Sequence, residues 1–472
     1  MEQITDLRIY AHHSLNFSRG EQVTIHFEGK KLKAFANETL AAALYASGIR
    51  VMSRSMKYHR PRGLFCLSGK CASCRMRVNG VPGVRTCRTW CEDGMVVLRE
   101  KTLGNASSDL LFASDFIFRD RLDYHHLLPR PALLNRLLLY GVRHMAGMGA
   151  LPDEAAPSPP IRDINSDVAV IGAGPAGCEA ALAASEAGCS VILVEEDRSV
   201  GGHLGSWPEK IREGGSSGIE LAAEYDERLN ASKIIALKGT TAFAYYPEGF
   251  LALADERGII RLKAKKYVLA VGGYDRNLMV PGNDLPNVFS SRALLKLVNR
   301  FGIRPGSQAF LVGTSDRNLS LALSLSEIGI RIVGISEDGP TVRGSEQFAD
   351  EIQSRGIPIF FFHKPISAIG RSKLKGFVIG PSDGGRERVR IECDVVAVDL
   401  PSAPAWELAA QMGCEINFSR QAGGFAVKAG ESGRTTNTVV FAVGEMLGSA
   451  SSDELMEQGR LVGAAAAAGL QI

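Results

Sequence analysis

Long apolar runs are missing from this chain of 472 residues. The longest stretch of small apolar residues, LVGAAAAAGL near the carboxyl end, is too short to cross a bilayer, so no transmembrane span is expected. The opening MEQITDLRIYAHHS has no basic patch followed by an apolar core, so no signal peptide is expected. Net charge is nearly absent: 54 Lys and Arg against 51 Asp and Glu leave +3, which argues against nucleic acid or membrane as the main partner. Nothing resembles a Ser-His-Asp triad or the paired carboxylates of a hydrolase. No acid–base residue suited to oxidising a substrate stands out either, which points to substrate chemistry on another polypeptide. Cysteine is sparse, nine in all. Its clustering in one segment reads as metal binding rather than a disulfide scaffold, and the cytoplasm is the expected compartment.

What is present suffices for two or three domains, with 45% apolar and 22% charged residues. Residues 1–100 hold short alternating segments, QVTIHF and KLKAF, then NETLAAALYASGI with helical spacing, a cysteine loop and RMRVNG. That order predicts a small β-grasp domain, with Asn37 as helix N-cap and Glu38 in the first turn. Residues 101–165 read as a connector, a helical stretch followed by the Pro-rich PDEAAPSPPIRD. From 166 onward, apolar strand-like runs alternate with helices, which predicts an α/β architecture of parallel sheets covered on both faces. Residues 166–300 with 395–472 are expected to form one dinucleotide-binding domain, and 301–394 a second, degenerate Rossmann-like domain.

The cysteine loop carries C-x4-C-x2-C-x12-C at Cys66, Cys71, Cys74 and Cys87. This is the plant-type two-iron spacing, in which a short loop supplies three thiolates and a distant cysteine the fourth. Gly69 lets the loop fold so that backbone N–H groups face sulfur. A zinc knuckle is the competing reading, but zinc sites usually show a second C-x2-C or C/H pair, which is missing. Cys91 reads as a spare buried thiol, with a ligand exchange left open. The nearby SRSMKYHRPRG, with Arg54, Lys57, Arg60 and Arg62, reads either as a solvated basic loop or as cations steadying a cofactor phosphate or the reduced cluster. Adjacent His125 and His126 point apart and are not expected to share a metal.

DVAVIGAGPAGCEAALAASEAGCSVILVEE places G-x-G-x-x-G at Gly172, Gly174 and Gly177 between a strand and a helix, with Glu195 closing the next strand. Strand, glycines, helix, strand and acid in one unit predict adenine-dinucleotide binding, with Glu195 facing an adenosine ribose. The following GGHLG supplies Gly202 where the chain passes near the cofactor. A worn copy follows at VGTSDRN: Gly313 remains, but Ser315 and Asn318 stand where the second and third glycines belong. A side chain at the second position crowds a pyrophosphate, so this half is expected to have kept its fold and lost its nicotinamide. No C-x-x-C lies between the two halves, which excludes thioredoxin-reductase-type dithiol chemistry.

VIGAGPAG…VILVEE…GGHL, YVLAVGGYDRNLMVPGNDLPNV and NTVVFAVGE…GRLVGAAAA resemble the successive motifs of two-dinucleotide-domain flavoprotein disulfide reductases. More narrowly, RSMKYHRPRGLF, LLNRLLLYGVRHMAGMGALP and the domain order resemble the α subunit of heteromeric sarcosine oxidase. Its relatives include subunits of opine, D-hydroxyproline and dye-linked proline dehydrogenases and of hydrogen cyanide synthase. The resemblance implies FAD, held by Gly172, Gly174, Pro175, Ala176, Gly177, Glu195, Glu196, Gly202 and Gly272. Gly444 and Glu445 would lie on the flavin side, where the family usually has Gly-Asp. It also implies a partner β subunit, namely an FAD-binding amine-oxidase-like protein that oxidises a secondary amine, with further small subunits and an electron acceptor. FMN at a subunit interface, and NAD or ATP in place of FAD, stay open. The sarcosine oxidase α subunit continues into a folate-dependent region not seen here, so transfer of a one-carbon unit by this chain alone is not expected. Two rivals stand beside this reading: a self-sufficient NAD(P)H-dependent oxidoreductase, and an assembly subunit with a structural nucleotide.

Overall fold

The computed structural model describes residues 5–12, 17, 19–55, 59–100, 158–211, 215–448 and 450–470, with the backbone of 104–105 and 108–109 and helical positions 133 and 136. Most of the expected connector, with His125 and His126, lies outside the described residues, as does Lys57 of the basic loop. The chain divides into two compact units, 1–156 with 277–399 and 157–276 with 400–472.

The first unit begins with the β-grasp. Alternation in β1 (Gln22–Phe27) turns Val23, Ile25 and Phe27 inward, and β1 pairs antiparallel with β2 (Lys30–Phe35), Gln22 opposite Phe35. Helix α1 (Leu40–Ala46) follows, then β3 (Arg75–Val78), β4 (Val81–Arg85) and β5 (Val96–Leu98). The sheet order is β2-β1-β5-β3-β4, with β1 and β5 parallel. The N-cap is Thr39, whose hydroxyl accepts from the Ala42 N–H at 3.4 Å, and not Asn37 as the sequence suggests. Glu38 is instead buried outside the helix, where its two oxygens accept from Arg8 Nε and Nη2, both at 2.7 Å. A bidentate, charge-assisted pair outweighs the gain from a carboxylate in a first turn.

All seven residues of α1 are buried. One side meets the grasp sheet and the other meets the second half of the same unit, so both belong to one apolar core. Tyr45 joins them: its hydroxyl lies within hydrogen-bond reach of Asn287 Oδ1 at 2.8 Å and the Pro305 carbonyl at 2.9 Å, and its ring meets Phe289 edge-on at 5.6 Å.

The second unit holds a parallel core: β6 (Ile161–Ile171), α2 (Pro175–Glu186), β7 (Val191–Val194) and β8 (Gly258–Leu269). β6 lies between β7 and β8, and the late strand Val440–Ala442 pairs parallel with β8. β6 starts inside the expected Pro-rich linker, because Ile161–Ile164 already ladder with Ile259–Leu262. The terminal helix Ser452–Ala468 packs closely on α2. A Cβ on Gly459 or Gly463 would lie 2.2 Å from the carbonyl of Ala176 or Ala180.

The second half of the first unit carries β9 (Gln308–Val312), α3 (Asp316–Glu327), β10 (Arg331–Glu337) and β11 (Val395–Val398) in a five-stranded parallel sheet. Two segments fall differently from the sequence expectation. β11, grouped there with 395–472, pairs with the central strand β9, and Val288–Ser290, grouped with 166–300, pairs with β11. Among the described residues no helix is long and apolar enough to cross a membrane.

Candidate functional site

Residues 66–74 form a loop with three left-handed backbone positions, Leu67 (φ 45°), Gly69 (φ 79°) and Ala72 (φ 60°). Such values are uncommon for Leu and Ala, and alternation of handedness turns successive N–H groups toward one concavity that suits anions and iron–sulfur centres. Cys71 N–H donates to Cys66 Sγ at 3.3 Å, and the two sulfurs stand 3.2 Å apart. Cys74 and Cys87 share a second hydrogen bond. The hydroxyl and N–H of Thr86 both hold the Cys74 carbonyl, at 2.7 and 3.3 Å. Cys66, Cys74 and Cys87 are buried, and Cys71 is partly exposed.

The thiols thus stand in two close pairs. In each pair one is held low and its partner high: Cys66 is brought down to about 5 by the hydrogen bond from Cys71, and Cys74 is lowered by Cys87. Cys87 also feels the charges of Cys74, Cys66 and Cys71, so the two pairs lie within electrostatic reach of one another. No group of three or more potential ligands among the described residues is arranged to hold a single ion. Two pairs of thiols suit a centre of two irons, each taking two thiolates, better than one zinc. Cys91 stands apart: burial raises its pKa, and the charges that bear on it are those of Glu38 and Arg8.

In the second unit the three glycines meet three different surroundings. A Cβ on Gly172 (φ 102°) would lie 2.3 Å from the Ala270 carbonyl oxygen, and one on Gly177 only 1.9 Å from the Gly172 carbonyl oxygen. A Cβ on Gly174 would meet nothing within 4 Å. The first and third glycines are therefore required by packing, and the second faces open space where a pyrophosphate can approach. Gly174 caps α2 with no side-chain hydrogen bond and Pro175 sits in the first turn, leaving N–H groups free for an anion. Gly202 packs on Gly174, and Gly444 packs on Ala176. These residues thus converge at the carboxyl ends of β6 and Val440–Ala442.

Glu195 lies at this turn, but both its oxygens already accept backbone N–H groups, from Ala173 and Asp197 at 2.7 Å each. Burial raises its pKa against those bonds. Its first action is to hold the glycine turn, with lone pairs left for a ribose. Glu196 bears instead on Tyr274, whose hydroxyl donates to Glu407 at 2.8 Å. Gly272 is left-handed with open space around it, and Glu445 lies partly buried in the short turn Gly444–Leu447.

The second glycine turn is filled by its own chain. The Ser315 hydroxyl donates to Asp399, which also accepts from Arg317 at 3.0 Å. Buried Asn318 donates to the Val312 and Gly313 carbonyls at 3.1 and 2.6 Å and accepts from Ser291 at 2.7 Å. Glu337, which ends β10 where a ribose-binding acid would stand, accepts from Thr314 at 2.5 Å and from Arg343 at 3.0 Å. The segment 343–345 folds over the start of α3: Gly344 N–H donates to the Thr314 carbonyl, and Ser345 N–H to Asp316. Arg343 and Asp399 are not legible in the sequence as partners of this turn; the acid at the end of β10 is the available signal. Replacing Asn318 by glycine, which restores the third position of the motif, should cost about 2 kcal/mol through the stranded Ser291 hydroxyl and turn carbonyls. The melting midpoint should fall by several degrees with no gain of NADH binding. An unchanged melt together with new NADH binding would show the turn is not closed by this side chain.

Residues 20–102 match the 2Fe-2S iron–sulfur cluster binding domain, and 166–469 match the pyridine nucleotide-disulphide oxidoreductase family. The chain is 30% identical over 346 residues to the sarcosine oxidase α subunit of Rhizobium meliloti (strain 1021), covering 68% of itself and 35% of that protein. It is 32% identical over 169 residues to an opine oxidase subunit of the same strain, covering 35% of itself and 37% of the other. It thus spans little more than a third of the length of these curated relatives. The L-proline dehydrogenase structure from P. horikoshii superposes over 100% of this chain and 76% of its own, with a TM-score of 0.68 at 22% identity, a likeness of fold.

Proposed function

We propose a function from one premise: the chain belongs to the pyridine nucleotide-disulphide oxidoreductase family and carries a 2Fe-2S domain ahead of it. It is then the electron-transferring subunit of a heteromeric amine or imino-acid dehydrogenase. The substrate, of the sarcosine, opine or proline-derivative class, is oxidised on a partner β subunit. The names of the relatives support that class of donor.

Cys66, Cys71, Cys74 and Cys87 would hold the cluster, each as a thiolate. The N–H groups at the start of α2 would hold the cofactor diphosphate, with Gly174 leaving it room and Gly202 and Gly444 closing around it. Glu195 fixes the turn and offers its remaining lone pairs to a ribose. When bound, a flavin exchanges electrons in pairs or singly, and a cluster carries them one at a time.

The observation that supports this reading over an NAD(P)H-driven enzyme is the second turn, whose backbone and acid are already engaged by Asn318, Arg343 and Asp399 within the chain itself. The test is anaerobic addition of NADH or NADPH to the purified chain. The flavin absorbance should persist for minutes; rapid bleaching would replace this reading with the self-sufficient reductase. Extraction of bound nucleotide from the same sample should yield FAD. NAD or ATP in its place would support an assembly role with a structural nucleotide, and FMN should appear only with a co-purifying β subunit.

A further inference from the structure

The 53 residues 39–91, which hold all four cluster cysteines, contain ten Lys or Arg and no Asp or Glu. The chain as a whole is nearly neutral at +3, so this is a local concentration. At the cysteine loop it becomes a rim. Lys70 and Arg75 are exposed on either side of Cys71 and Cys74. Arg85 Nη1 donates to the Gly69 carbonyl at 3.3 Å. A Cβ on Gly69 would lie 2.8 Å from the Arg88 side chain. Cys71, the partly exposed member of the four, lies within this rim.

Arg75 and Arg85 are directly opposed across the β3–β4 ladder, on the same face of the sheet. Like charges in that position are destabilising unless something offsets them. Neither has an acidic partner among the described residues. By contrast, Arg77, two residues along on the same face of β3, pairs with Glu100 at 3.1 Å. Cations needed only to balance a buried anionic centre need not stand exposed.

We propose that this rim is the docking face for an acidic one-electron carrier, a protein whose redox centre is set among Asp and Glu. This rests on the cluster reading above and names the class of acceptor for it. One electron passes from the reduced cluster to the partner's oxidised centre; no bond is made or broken and no proton moves. The rim steers encounter, and such steering raises association rates about 10- to 1000-fold at low salt.

The experiment uses the full chain with its cluster, reduced anaerobically with dithionite. Its reoxidation is followed at the cluster signal, with ferricyanide as anionic probe and tris(phenanthroline)cobalt(III) as cationic probe. Between about 10 mM and about 300 mM salt, the ferricyanide rate should fall about tenfold or more, while the cationic probe gains or stays level. Hexacyanochromate(III), a redox-inert paramagnetic trianion, should speed relaxation of the reduced cluster's paramagnetic signal. Lys70→Glu with Arg75→Glu should remove the ferricyanide salt dependence and the hexacyanochromate effect, with the cluster spectrum intact. Equal salt dependence for both probes overturns the docking face and leaves the cluster reading standing. So does a double variant that shifts the midpoint potential alone. Absence of any cluster spectrum in the native chain overturns both.

Discussion

Cys71→Ser should abolish the visible absorption and the paramagnetic signal of the cluster and leave the bound nucleotide at its native stoichiometry. A serine hydroxyl at neutral pH is no substitute for a thiolate on iron. The loss should be nearly complete because Cys71 is one member of the close Cys66–Cys71 pair, so one iron would keep a single protein sulfur. The nucleotide should be spared because the glycine turn belongs to the other compact unit. Cys91→Ser is the control, since the charges bearing on that thiol are Glu38 and Arg8. It should keep the full spectrum. Unchanged spectra in Cys71→Ser would remove Cys71 from the ligand set; loss in Cys91→Ser would bring that thiol in.

The second large effect separates two glycines three residues apart. Gly177→Ala should be poorly folded: its new Cβ would lie 1.9 Å from the Gly172 carbonyl oxygen, backbone against backbone, where neither side can yield cheaply. Forced overpacking of this kind costs about 3 kcal/mol. Gly174→Ala should melt close to the native chain, because its backbone (φ −70°, ψ 178°) suits any residue and its Cβ meets no protein atom. The methyl would stand where the diphosphate approaches, so nucleotide recovered on extraction should drop by about tenfold or more, a loss of about 1.4 kcal/mol. Full retention of nucleotide by a well-folded Gly174→Ala chain would place the cofactor elsewhere.

These two expectations rest on features that are local in the chain. The thiol spacing and the first glycine turn can be read from the sequence because each is complete within about thirty residues and its chemistry depends on local spacing. The structure adds the detail that Glu195 supports the turn through Ala173 and Asp197 before it meets any ribose. The sequence places the N-cap of α1 two positions early, since nothing near Glu38 in sequence announces that Arg8 will pair with it.

The sequence by itself determined the redox equipment: four thiols at two-iron spacing, one intact dinucleotide turn and one worn copy. The tertiary structure alone decided how the worn copy is sealed and what the cluster domain rests on. Asp399 reaches Ser315 from 84 residues away, and Arg343 reaches Glu337 from the segment folded over α3. Tyr45 ties the β-grasp to Asn287 and Pro305, more than 240 residues along the chain. Local spacing specifies which chemistry a loop can hold, whereas closure of a turn depends on side chains brought together by strand order. In a parallel sheet, neighbours in space are remote in sequence.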